Sequence, residues 1–171
     1  MTARRVLTGA ATALAVAAAV FALWGVLAWV SAAGDGDLAT AAARDDALRA
    51  GREHVARLTT MDHSDVEAGL RSWLEVTTGP LRSELEDTDP ATLHAVERAG
   101  TVATGAVLAA GLSEFNADHG TATLLATVEI TTVAGDTEPV HVRHRYRAQL
   151  RHTDDGWKVA EFEPMPAGGA S

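Results

Sequence analysis

The stretch TATLLATVEITTV, residues Thr121 to Val133, decides the fold. Ala122, Leu124, Ala126, Val128 and Ile130 recur at every second position, with Thr123, Thr127 and Glu129 between them. Side chains of a strand alternate between its two faces, so this spacing predicts a strand with one apolar face.

The same period extends outward in both directions. VHVRHRYRAQLRH, Val140 to His152, puts Val140, Val142, Tyr146, Ala148 and Leu150 on one side, with His144 sharing it. GWKVAEFEPM, Gly156 to Met165, predicts a shorter strand. Towards the N-terminus, TVATGAVLAAGLSEF predicts a strand with Val102, Ala106, Leu108, Ala110 and Leu112 on one side. NADHG, AGDTEP and TDDG separate the four segments, and Asn, Asp and Gly there are turn formers.

Before Thr101 the period is helical. Leu38 to Met61 carries Leu48, Val55 and Leu58 among charges, with Ala41 to Ala43 and Ala47 as strong helix formers. Asp62 to Gly79 places Val66, Leu70, Trp73 and Leu74 on one face; Asp62 or Ser64 suits its start, and Ser64 with Glu67 spells a capping box. Pro80 to Gly100 opens on a Pro and closes on a Gly, with Asp89-Pro90 as an internal break. About three helices followed by a four-stranded antiparallel meander define an α+β fold. Leu70, Trp73, Leu74, Val128 and Tyr146 are its expected core.

Arg143, Arg145, Arg147 and Arg151 alternate with the core positions of their strand, and Gln149 occupies the remaining place in the series. They are expected on the outer face of the sheet, a face an antiparallel sheet can leave in water. Glu129, Glu161 and Glu163 on neighbouring strands are available to pair with them. The stripe reads either as a solvated face or as a partner-binding surface, because guanidinium forks grip carboxylates and stack on aromatic rings.

The chain carries a formal net charge of −9. That balance argues against general nucleic-acid binding, which rests on cationic surface and counterion release. With no cysteine, disulfides and thiolate chemistry are excluded. His141 and His144 fall on opposite sides of a strand, and His54, His63, His94 and His119 are scattered, so no metal site is expected. Tyr146 and His144 share the inner side, but no general base is evidently placed beside them, and Asp62 and Asp65 suit helix capping. No enzymatic activity and no cofactor are therefore expected.

Val6 to Val30 contains no charged residue. As a helix it would span about 37 Å, enough to cross a hydrocarbon core. Arg4 and Arg5 precede it, which predicts a cytoplasmic N-terminus and an outside C-terminal domain. Trp24 and Trp29 lie near its outer end, where indoles favour the interface. The expected organisation is a stub over 1–5, a membrane helix over 6–30, a linker over 31–37, a domain over 38–164 and a tail over 165–171. The bilayer is thus one expected partner, and self-association is left open.

LTTMDHSDVEAGLRSWLEVTTGPLRSEL, Leu58 to Leu85, and HVRHRYRAQLRHTDDGWKVAEFEPM, His141 to Met165, resemble Mce-associated membrane proteins of actinobacteria. The resemblance covers nearly the whole chain but rests on dispersed apolar and turn positions. It implies an NTF2-like, cystatin-like cone held outside the cell membrane by one helix, and an accessory role beside Mce complexes, which import lipids. The assembly factor of type IV secretion systems, with the same anchor-plus-cone plan, is a structural cousin. A lipid-carrying cone is an alternative, since Ala106, Ala110, Ala122, Ala126 and Ala148 leave room on the inner side or else admit close helix packing. An isomerase or dehydratase of the NTF2-like type is a further one.

Overall fold

The computed structural model describes residues 38–166. Helix α1 covers 38–58 of them. It is followed by strand β1 (Met61–Asp62), a 3-10 turn (His63–Asp65), and helices α2 (Val66–Val76), α3 (Gly79–Glu86) and α4 (Pro90–Ala99). Strands β2 (Thr101–Asn116), β3 (Thr121–Ala134), β4 (Val140–Thr153) and β5 (Gly156–Met165) follow. The helix-to-strand switch falls at Thr101, as the period predicts, after Gly100 turns the end of α4 with a φ of 64°. The predicted membrane helix with Val6, Trp24, Trp29 and Val30 lies outside the described residues. Among those described, no helix is long and apolar enough to cross a membrane.

The sheet has five strands, not four, in the order β1-β2-β3-β4-β5, all antiparallel. The added strand, β1, pairs only Met61 with Ala103 and Asp62 with Val102. Two residues are too few to show an alternation. The helices number four rather than three among the described residues, because Asp89-Pro90 divides α3 from α4. Asp89 accepts from the Ala91 amide, and its proline neighbour needs no amide partner. The capping box does not form. Asp65, not Ser64, caps α2 by accepting from the Ala68 amide at 2.9 Å, while Asp62 takes the Ser64 amide.

Strand β2 departs most from expectation. Its pairing with β3 shifts between Val107 and Ala109 and again between Leu112 and Glu114, so Leu108 and Ser113 are bulge residues. Each bulge reverses the alternation. Ala110 and Leu112 still face inward, but Val107 and Phe115 join them, opposite Val128 and Ala122. Val102 and Ala106 pair with Val133 and Glu129 and face outward, and Leu108 is 47% exposed.

The core joins α1 to the inner face of the sheet. Ala47 and Val55 of α1 are buried with Ala122, Leu124, Ala126, Val128, Ala148, Leu150, Trp157 and Val159. Gly51 lets α1 approach closely: a Cβ built there would lie 2.8 Å from Leu150 Cδ1 and 3.1 Å from Leu124 Cδ2. Ala122, Ala126 and Ala148 are buried in this cluster. Of the expected core residues, Val128 is fully buried and Tyr146 packs at the edge of the cluster. Leu70, Trp73 and Leu74 are half-buried and outside it. Trp73 has a polar task that explains this: its indole N–H donates to the carbonyls of Arg57 (2.8 Å), which also accepts from the Thr60 amide, and of Thr60 (3.1 Å), just past the end of α1.

His54 ties α1 to β5. Its Nε2–H donates to the Trp157 carbonyl at 2.8 Å, which leaves Nδ1 as the lone-pair nitrogen, buried and without a partner. Burial holds this imidazole below its ordinary pKa of 6.5, against the opposing pull of the Trp157 carbonyl and Glu53. Stability carried by neutral His54 is therefore complete above pH 6.5 and falls as pH drops through the lowered folded-state value. His54→Gln, which keeps a donor but cannot titrate, is expected to flatten the fall in melting temperature between about pH 7 and pH 5. Parallel wild-type and variant curves would assign that fall to other groups.

Candidate functional site

The outer face of the sheet is built by register. Paired residues of antiparallel neighbours point to the same side. One row joins Ala106, Glu129 and Arg143; the next joins Ala109, Thr127, Arg145 and Met165; the third joins Gly111, Leu125, Arg147 and Glu163. A fourth joins Glu114, Thr123, Gln149 and Glu161. Because β4 pairs with β3 without a bulge from Thr121 to Thr132, the arginines keep their alternation over the whole strand.

The four arginines are not equivalent. Arg143 Nε donates to Glu129 Oε2 at 2.9 Å, and Arg147 Nη2 donates to Glu163 Oε2 at 2.7 Å. Glu163 holds the Arg147 guanidinium still more firmly protonated, through its hydrogen bond and then its charge. Arg151 lies across from Thr121 and Lys158, and its Nη1 reaches towards Gly79. Gln149 accepts from the Thr123 hydroxyl at 3.0 Å, which also reaches Glu114 at 3.2 Å, so this row is closed by its own hydrogen bonds.

Arg145 stands apart. Its cross-strand neighbours are Thr127 and Met165, neither of which is acidic. Among the described residues it forms no ion pair and no side-chain hydrogen bond. It also separates two hollows. One of about 320 Å³ is lined by Ala109, Gly111, Leu125, Thr127 and Met165 with Arg145. The other, of about 240 Å³, is lined by Thr127, Arg143, His144 and Met165 with Arg145. The small side chains at Ala109 and Gly111 form the first, and the end of β5 at Met165 borders both. Exposed Leu125 and Met165 give this neighbourhood an apolar component. A free guanidinium beside a largely apolar hollow, flanked by two neutralised ones, can receive a carboxylate together with its apolar neighbours. The strand period identifies the stripe in the sequence. Which arginine is free depends on Thr127 and Met165 lying across from Arg145, and that requires the register.

On the inner face, Tyr146 stacks on Phe162 with ring centroids 4.5 Å apart, and His144 lies 6.1 Å from Tyr146. Partial burial pushes the phenol pKa up, so Tyr146 stays neutral near pH 7. Asp62 is held below its usual range by the Ser64 amide and hydroxyl, which commits it to the turn. Among the described residues no three His, Asp or Glu side chains gather closely enough to hold a metal ion.

Several solved structures share this architecture. The periplasmic domain of DotI matches with a TM-score of 0.57 at 14% identity, over 70% of this chain and 93% of that one. An IcmL-like type IV secretion system protein from Legionella pneumophila matches with a TM-score of 0.59 at 8% identity, over 75% and 96%. CagV, a VirB8 homologue of the type IV secretion system of Helicobacter pylori, matches with a TM-score of 0.53 at 9% identity, over 68% and 94%. At such identities the likeness establishes the fold, an NTF2-like α+β domain. No protein-family model and no curated protein matches the sequence. The resemblance to Mce-associated proteins is thus carried by the quoted residues alone.

Proposed function

We propose that this domain is a non-enzymatic interaction module, held on the outer side of a cell membrane, that docks on other proteins of an envelope complex through the face around Arg145. The unpaired Arg145 between its two hollows is the observation that carries this reading. Two further points support it. The uncharged run Val6–Val30 behind Arg4 and Arg5 suits a membrane anchor. Two of the similar structures are described as type IV secretion system proteins, and CagV and the IcmL-like protein share the fold. The finer reading, from the sequence resemblance, is an accessory subunit of an Mce-type lipid-import complex. A carrier cone would need an apolar space beneath α1; Gly51 lies against Leu124 and Leu150 there, and the hollow of about 530 Å³ beside it is lined by Asp46, Arg49 and Glu53 as well as Phe115 and Trp157.

Arg145→Glu tests the reading. Reversal at Arg143 or Arg147 would set a new carboxylate against Glu129 or Glu163 and confuse folding with binding. Arg145 has no such partner, so its reversal is expected to leave the melting temperature unchanged. Recovery of the partner complex from mildly solubilised membranes is expected to fall about tenfold or more, the loss of one interfacial arginine anchor. Undiminished recovery with an unchanged melting curve would make the stripe a solvated face.

A further inference from the structure

The two edges of the sheet are treated differently. On β5, Thr77 bridges Val159, the Thr78 amide donates to the Val159 carbonyl at 2.9 Å, and Lys158 reaches the Glu75 carbonyl. Glu161, Glu163 and Pro164 guard the rest of that edge with charge and a missing donor. On β2, β1 covers Val102 and Ala103, and the Thr60 hydroxyl accepts from the Gly105 amide at 3.1 Å. From Ala106 to Asn116 no strand among the described residues lies on the side of β2 away from β3. Not one residue of β2 is buried.

We infer that this free edge of β2 is a self-association edge, where a second copy of the chain adds its own β2 antiparallel across a two-fold axis near Gly111. Charge selects the occupant. The chain carries a net charge of −9, so two copies repel over most of their surface. Ala99 to Ser113 has no charged residue, the longest such stretch among the described residues. A two-fold contact brings a patch against itself, so any charge near the axis would meet its own like. Here none does. The backbone agrees. Bulges at Leu108 and Ser113 bracket the regular stretch Ala109–Leu112. A bulge deters a straight foreign strand, but a second copy run antiparallel about Gly111 sets the bulge at Leu108 opposite Glu114, one residue from its own bulge at Ser113. Gly111 leaves room at the axis: a Cβ added there would meet nothing within 4 Å.

The test uses the full-length chain purified in mild detergent. Sizing by light scattering at about 100 µM protein, in the range where small interfaces associate, is expected to show a dimer. Gly111→Lys places two ammonium groups side by side at the axis, the guard that edge strands ordinarily carry. It is expected to weaken dimerisation about tenfold or more with no loss of melting temperature. The chain has no cysteine, so one introduced thiol reports one contact. Gly111→Cys is expected to oxidise to a disulfide-linked dimer, since directly opposed residues lie within disulfide reach. Val140→Cys, an exposed position on β4, should remain monomeric. A wild-type monomer at that concentration overturns the inference. So does a Gly111→Lys chain that dimerises like wild type, or cross-linking at Gly111→Cys no faster than at Val140→Cys.

Discussion

Leu124→Ala is expected to lower the unfolding free energy by about 2–5 kcal/mol, the range for a buried leucine whose site cannot collapse. Leu124 has no exposed surface and sits at the centre of the sheet, paired with Leu112 on one side and Ala148 on the other. Apart from Leu112 and Leu150, its inner neighbours are already small. Ala122, Ala126 and Ala148 surround it, and Gly51 of α1 lies directly above. Alanines and a glycine have no side chains to move into the vacated volume, so the cost belongs in the upper part of the range. Each kcal/mol lowers the melting temperature by about 4 °C in a domain of this size, so thermal denaturation followed by circular dichroism measures it. A shift under about 2 °C would show that α1 settles onto the sheet after truncation.

Gly105→Val is expected to be destabilising by about 1–3 kcal/mol or more, by overpacking rather than by a cavity. A Cβ built on Gly105 lies 2.6 Å from Thr59 Cβ and 3.1 Å from the Thr59 carbonyl oxygen. Thr59 cannot easily yield. Its hydroxyl donates to the Val55 carbonyl at 2.8 Å, and its neighbour Thr60 accepts from the Gly105 amide. The added methyls must therefore push the end of α1 and β1 off the sheet. Hydrogen exchange should localise the damage: the Met61–Asp62 and Val102–Ala103 amides should lose protection well before β3 and β4. Uniform loss over the sheet would argue against a local lever at this glycine.

These two positions show what was legible in the sequence. The alternation from Thr121 to Val133 predicts β3 to within one residue of its end at Ala134, because β3 runs without a bulge against β4 and is covered on one face. β2 was legible as a strand but not in its facing, because a bulge is a backbone event that Ala, Gly and Ser permit without announcing. β1 is too short for any periodicity. Trp73 reads as core because it is large and apolar, while its N–H obliges it to stay beside the carbonyls at the end of α1. The arginine stripe was visible, but the distinction between Arg145 and its neighbours was not. Residues 18 apart in sequence, such as Thr127 and Arg145, become opposite only once the hairpin register is set.

That register has a kinetic side. Glu129 and Glu163 cancel most of the field of Arg143 and Arg147 beyond about one Debye length, roughly 8 Å at physiological salt. What extends into solvent from this face is close to a single positive charge on an otherwise acidic domain. On the proposed function, an acidic partner would thus be turned away at long range and held only on contact. Its encounters are unsteered, and the strength of the complex resides in how slowly it comes apart. A subunit of this kind suits an assembly that is put together once and kept, rather than one that exchanges its parts.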